Sequence, residues 1–239
     1  MRRLRLGMLT PSSNTALEPA TYKLLAETPE ATAHFARFPV TEIGLGDKAL
    51  GQFDAAPILA AAELLAHAKV DVIAWNGTSA SWLGFERDTA LCEVITARTG
   101  IPATTAILAL NELYRRLGVK NFGLVTPYTG DVQRKIITNY AAAGWACPAE
   151  AHADLSDNFS FATLPPERIA AMIEQVAAQQ PDAIAVVCTN MDAAITAATL
   201  EQKLGIPVLD SIAVTLWGAL ERLGADKAPW RRFGRLFSL

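Results

Sequence analysis

The chain repeats itself. Residues 70–79 (VDVIAWNGTS) align without a gap on residues 181–190 (PDAIAVVCTN). Residues 6–13 (LGMLTPSS) match 122–129 (FGLVTPYT), and 99–118 (TGIPATTAILALNELYRRLG) match 204–224 (LGIPVLDSIAVTLWGALERLG). Three segments recur in the same order, at a period of about half the chain, too long for a solenoid. Two similar lobes facing each other across a cleft satisfy this pattern. The expected division is residues 1–118 and 119–239, packed as one unit, with part of 204–239 folding back on the first lobe.

Each half alternates short apolar runs with Ala/Leu-rich stretches of helical period. Strands are predicted at 4–10, 33–40, 70–75, 121–126, 182–187 and 206–209. Helices are predicted from near Pro19 and at 55–68, 131–143, 166–179 and 191–203. Strand–helix alternation of this kind gives parallel sheets covered on both faces. The expected fold class is therefore α/β, with two pseudo-symmetric lobes, each a parallel sheet flanked by helices. Ligands of parallel α/β sheets bind beyond the C-terminal strand ends. The segments PSSNT, PYTGD, NGTS and CTN should meet there.

Composition narrows the partners. The net charge is −3, and the one dense basic run, Arg231, Arg232 and Arg235, reads as a solvated tail. No basic stripe suits nucleic acid. No apolar stretch is long enough to span a bilayer, and MRRLRLGMLTPSSN lacks a signal-peptide core, so a cytoplasmic protein is expected. The three cysteines are too scattered for a disulfide framework or a zinc knuckle. His34, His67 and His152 show no metal-ligand spacing, so no metal is expected. GLGDKALG (44–51) lacks the full dinucleotide fingerprint, and no cofactor is expected. A homo-oligomer remains open.

Cys188 follows the apolar run AIAVV and precedes a helical stretch. A strand end beside a helix N-terminus stabilises a thiolate. A bound dianion pushes the other way, which leaves the resting protonation state open. Thr189 and Asn190 add hydrogen-bonding groups at the same edge. Cys92, inside a helix, and Cys147, after Trp145, read as structural. The repeat pairs Cys188 with Gly77, so the second thiol that a two-base racemisation needs is missing. A glycine there leaves space and lets backbone N–H groups approach a ligand. Thr78 and Ser79 either donate to a carboxylate or developing enediolate or cap the next helix. Tyr128 either donates to the same oxyanion or packs its loop. Asn14 and Asn158 each hold a carboxylate oxygen or serve a turn.

Together these residues resemble the aspartate/glutamate racemase superfamily, and within it the arylmalonate decarboxylase and maleate cis–trans isomerase branch. The resemblance runs through nearly the whole chain. It implies two α/β lobes, a site between them and no cofactor. PSSNT with Asn14, PYTGD with Tyr128, SDN with Asn158 and CTN with Cys188 look like the isomerases. That likeness implies asparagines and a tyrosine holding carboxylates, and a second cysteine where this chain has Gly77. NGTSASW, the lone Cys188 and the ending FGRLF look like the decarboxylases. That likeness implies an oxyanion pocket of Thr78, Ser79 and Tyr128, an apolar pocket from which the other carboxylate leaves as carbon dioxide, and a cysteine that protonates one face of the enediolate. The leading expectation is a cofactor-independent decarboxylase of an aryl- or alkylmalonate-like acid. The alternatives are a maleate isomerase- or racemase-like enzyme on a small dicarboxylate, and a non-catalytic carboxylate-binding module.

Overall fold

The computed structural model of the protein describes residues 3–46 and 55–239. The first sheet holds β1 (Leu4–Pro11), β2 (Ala31–Phe38), β3 (Val72–Trp75) and β4 (Ala103–Thr105) in the order β2-β1-β3-β4. The second holds β5 (Asn121–Thr126), β6 (Ala146–His152), β7 (Ala183–Val186) and β8 (Val208–Asp210) in the order β6-β5-β7-β8. All six pairings within these sheets are parallel. The second sheet is the first repeated with every strand number raised by four, so the sequence repeat is a repeat of topology. Each lobe is a parallel sheet flanked by helices.

The strands form where an apolar run is covered on both faces. VIAW of β3 and AIAV of β7 are buried at every position, whereas the edge strand β2 is only half-buried along its middle. The aspartate before each of these central strands acts as a clamp. Asp71 Oδ2 accepts from the Arg5 N–H at 2.8 Å, and Asp182 Oδ2 accepts from the Asn121 N–H at 2.8 Å. The same residue at the same place in both repeats ties the third strand to the start of the first.

The helices are α1 (Leu17–Leu25), α2 (Ala55–His67), α3 (Ala80–Leu83), α4 (Phe85–Thr99), α5 (Ala106–Leu117), α6 (Gly130–Ala142), α7 (Asn158–Phe161), α8 (Pro166–Ala177), α9 (Ala194–Leu204) and α10 (Ser211–Arg222). Helix α10 leaves the second sheet and packs against β4, β3 and α5 of the first lobe. Its residues Ser211–Leu220 are all buried. Arg222 at its end donates to the Ala103 carbonyl at 3.1 Å. The buried apolar residues of both sheets form one continuous core. No described helix is long and apolar enough to cross a membrane.

Several boundaries differ from those read in the sequence. Strand β2 runs 31–38 rather than 33–40, because Pro39 has no N–H to continue the ladder. Helix α1 opens at Leu17, with Pro19 inside the first turn, where its missing N–H costs no bond. Strands β4 and β8 are three residues each, too short to show a period. The GLGDKALG segment extends beyond the described residues after Gly46.

Candidate active site at the lobe interface

Loops after β1, β3, β5 and β7 converge on one small cavity, about 20 Å³ in volume. Asn14, Gly77, Thr78, Ser79, Tyr128, Asn158, Cys188, Thr189 and Asn190 all line it. Pro11, Val40, Ile43, Trp75, Asn76 and Trp82 complete its wall. The nine residues singled out in the sequence therefore share one space, set between the C-terminal ends of the two sheets.

Cys188 follows β7 and is 3 % exposed. The next helix, α9, does not begin until Ala194, so its N-terminus is six residues from the sulfur rather than beside it. The sequence left the protonation state open between a helix start and a bound dianion, and the helix start is not beside the sulfur. Burial pushes the Cys188 thiol up to about 12, and the Tyr128 hydroxyl and the Asn190 N–H only partly offset it. The Asn190 N–H donates to Sγ at 3.3 Å. At neutral pH Cys188 is a protonated thiol.

Tyr128 follows β5 and reaches across the interface. Its hydroxyl lies 2.7 Å from Thr78 Oγ1 and also hydrogen-bonds Cys188. Burial, and next the nearby Cys188, hold its pKa well above the usual phenol value, so the O–H stays a donor. Trp82 and Phe161 pack edge-on against its ring, at 5.3 and 5.5 Å between centroids. Thr78, Tyr128 and Cys188 thus form one buried hydrogen-bonded line. The Ser79 side chain caps no helix. Among the described residues, the backbone N–H groups of Gly77, Thr78 and Ser79 donate to no protein acceptor. That is the donor array an oxyanion needs.

The asparagines are already engaged. Asn14 Oδ1 accepts from the N–H groups of Ala16 and Leu17 at the start of α1, and Nδ2 donates to the carbonyl and hydroxyl of Thr189 at 3.1 and 3.2 Å. An amide side chain offers two donors and one carbonyl oxygen, and each end of Asn14 is bonded to protein. Asn190 Oδ1 accepts from Thr15 and Ala16, while its Nδ2 donates to the Asn158 carbonyl. Asn158 Nδ2 donates to Ser13 Oγ at 2.7 Å. The Thr189 hydroxyl donates to the Asn76 carbonyl at 2.7 Å. The Asn14–Thr189, Asn190–Thr15 and Ala16, Asn158–Ser13 and Thr189–Asn76 bonds each join one lobe to the other. The polar cage that the sequence offered as carboxylate ligands is, in this structure, the fastening between the lobes.

Gly77 also differs from its expected part. The space its missing side chain leaves is not open to a ligand. A Cβ built there would lie 1.9 Å from Trp75 Cζ2, so the indole rests on the bare backbone at Gly77. The sequence left open whether Trp75 lines a pocket or packs, and it did not single out Asn76 or Asp210. The repeat carries a signal for Trp75 and Asn76, which pair with Val186 and Val187. Bulk beside glycine in one lobe answers a small residue beside cysteine in the other. Asp210, at the end of β8, caps α10 through the Ile212 and Ala213 N–H groups, and its charge pushes the Cys188 thiol further up.

A family described as arylmalonate decarboxylase matches residues 9–237. A maleate isomerase from Geobacillus stearothermophilus is 26 % identical over 93 % of this chain and 92 % of its own length. The arylmalonate decarboxylase of Bordetella bronchiseptica is 24 % identical over 97 % of this chain and 95 % of its own. A solved structure of Nocardia farcinica maleate cis–trans isomerase with a covalently bound succinylcysteine intermediate superimposes with a TM-score of 0.87 at 22 % identity, covering 98 % of each chain. With the family match spanning nearly every residue and the two-lobed fold agreeing, the chain belongs to the arylmalonate decarboxylase family.

Proposed function

We infer that the protein decarboxylates a malonate-type dicarboxylic acid without a cofactor, and that Cys188 protonates the resulting enediolate. The observation that carries this is one-sidedness. A protonated thiol stands on one lobe, and the matching place on the other is Gly77 under an indole, with neither acid nor base.

The chemistry follows from the groups present. One carboxylate of the substrate binds against Thr78, Ser79, Tyr128 and the unpaired N–H groups of residues 77–79. The other faces apolar walls such as Val40, Ile43 and Trp82, where a charge is disfavoured relative to neutral carbon dioxide. The carbon–carbon bond breaks, carbon dioxide leaves, and the electron pair passes into the retained carboxyl group as an enediolate. The hydroxyl and N–H donors stabilise that charge, so the substrate supplies its own electron sink. The Cys188 S–H proton then goes to the α-carbon. The S–H electron pair stays on sulfur, where the Asn190 N–H and the Tyr128 hydroxyl receive the thiolate until solvent returns a proton.

Incubation of the enzyme in D₂O with a malonate carrying both a methyl and a phenyl group on its α-carbon, followed by NMR and chiral chromatography, tests this reading. One deuteron at the α-carbon and a single enantiomer are expected. Cys188→Ser should lower turnover by about 10²- to 10⁴-fold, the usual weight of a positioned acid. Full turnover by Cys188→Ser would sink the reading.

A second reading, isomerisation of a compact dicarboxylate such as maleate, is favoured by the polarity of the cage around Asn14, Asn158 and Asn190. It requires another nucleophile in place of the thiol absent at Gly77. Maleate incubated at high enzyme concentration gives fumarate signals under that reading, and none under the first.

A further inference from the structure

The cavity beside Cys188, about 20 Å³, holds roughly one water molecule. A dicarboxylic acid enters only if a wall moves. We propose that Trp75 is that wall, and that its displacement sets how large an apolar substituent the site accepts on the α-carbon. The proposal rests on reading Thr78, Ser79 and Tyr128 as the carboxylate site.

The polar walls are tied and Trp75 is not. Asn14, Asn158, Asn190 and Thr189 are bonded across the lobes, and Tyr128 is bonded to Thr78. Moving any of them leaves buried polar groups unpaired. The Trp75 indole makes no hydrogen bond among the described residues. It is held by packing alone, against Phe38 at 4.9 Å between ring centroids and on the backbone of Gly77.

The ring also has a place to go. Trp75 lines a second cavity of about 240 Å³, walled by Ile58, Leu83, Leu91 and Val94. The indole, with Ser79, thus stands between a small space beside Cys188 and a larger apolar one. Asp88 lies in that second wall, buried, with its Oδ2 unpartnered, so the pocket already holds an acceptor for an indole N–H. A ring displaced into it uncovers the bare backbone of Gly77 and its unpaired N–H. Glycine at 77 and tryptophan at 75 then work as a pair: the first gives the ring a seat, and the ring leaves a substituent-sized gap when it moves. The ligand class that fits is a carboxylic acid bearing an apolar α-substituent. It is bound by its carboxylate at Thr78, Ser79 and Tyr128, with the substituent in the place of the ring.

Calorimetric titration with acetate and with phenylacetate, neither of which has a carboxylate to lose, reads this directly. In Trp75→Ala the ratio of the acetate Kd to the phenylacetate Kd should rise at least threefold over the wild-type ratio. A rise of threefold or more supports the proposal. A smaller rise, or no binding of either acid to either protein, overturns it. If Trp75→Ala does not fold, Trp75→Phe decides by the same threshold. Because this readout is binding without turnover, a wild-type enzyme inert on every malonate but showing the Trp75 effect would sink the decarboxylase reading alone.

Discussion

Cys188 keeps its proton because desolvation of a buried thiolate outweighs the hydrogen bonds that would stabilise it. That is the state a proton donor must start from. Its counterpart Gly77 is tightly coupled to Trp75, and the coupling is measurable. Gly77→Ala places a Cβ into the indole and should destabilise the fold by about 1–3 kcal/mol, as overpacking does. In a Trp75→Leu background most of that cost should vanish. Urea denaturation of the two single variants and the double variant closes the cycle. Additive effects would mean the ring does not sit where the Cβ must go. The nine candidate residues were legible because each lies just past a strand or in a turn cluster. Trp75 was not, since an aromatic ending a strand reads the same whether it lines a pocket or fills a core.

Between elements, the decisive contact is α5 against α10. The two helices are copies of one repeat, and they meet where Gly218 faces Ala109. A Cβ at 218 would lie 2.7 Å from Ala109 Cβ. Glycine in a helix costs roughly 0.5–1 kcal/mol relative to alanine, so close helix approach is what it supplies in return. Gly218→Val should therefore lower the thermal midpoint sharply, by about 1–3 kcal/mol or more of stability at the midpoint. A variant with an unchanged midpoint in scanning calorimetry would mean the helices part without cost. The helical faces and the central strands were legible from periodicity and apolar runs. Strand β4 was not, because three residues carry no period and its pairing partner lies far along the chain, while β8, read at 206–209, lies at Val208–Asp210.

Across the whole molecule, two buried carboxyls load the fold. Burial raises Asp88 and Asp210 to about 7 each, and each has an unpartnered Oδ2. A carboxyl with a raised folded-state pKa binds its proton more tightly folded than unfolded. Its contribution is whole below the unfolded value of about 3.9 and is lost as pH climbs to the folded value. Unfolding free energy should therefore fall between about pH 4.5 and 7, by up to about 1.4 kcal/mol per pH unit for each group. Asp88→Asn and Asp210→Asn should each flatten that slope, and a double variant with the wild-type slope would refute the assignment. Asp210→Asn retains an Oδ1 to cap α10, so loss of the cap does not confound the test.

The sequence by itself determined the two-lobed repeat, the parallel α/β class and the set of loops that face each other. These follow from local periodicity and from the fact that strand ends in such sheets share one edge. Only the tertiary structure decided what those loops do to one another. The burial that fixes the Cys188 proton, the cross-lobe bonds that occupy Asn14, Asn158 and Asn190, and the indole seated on Gly77 all arise between residues distant in the chain. Desolvation, hydrogen-bond saturation and steric exclusion depend on the distances between those residues, and no local pattern in the sequence encodes them.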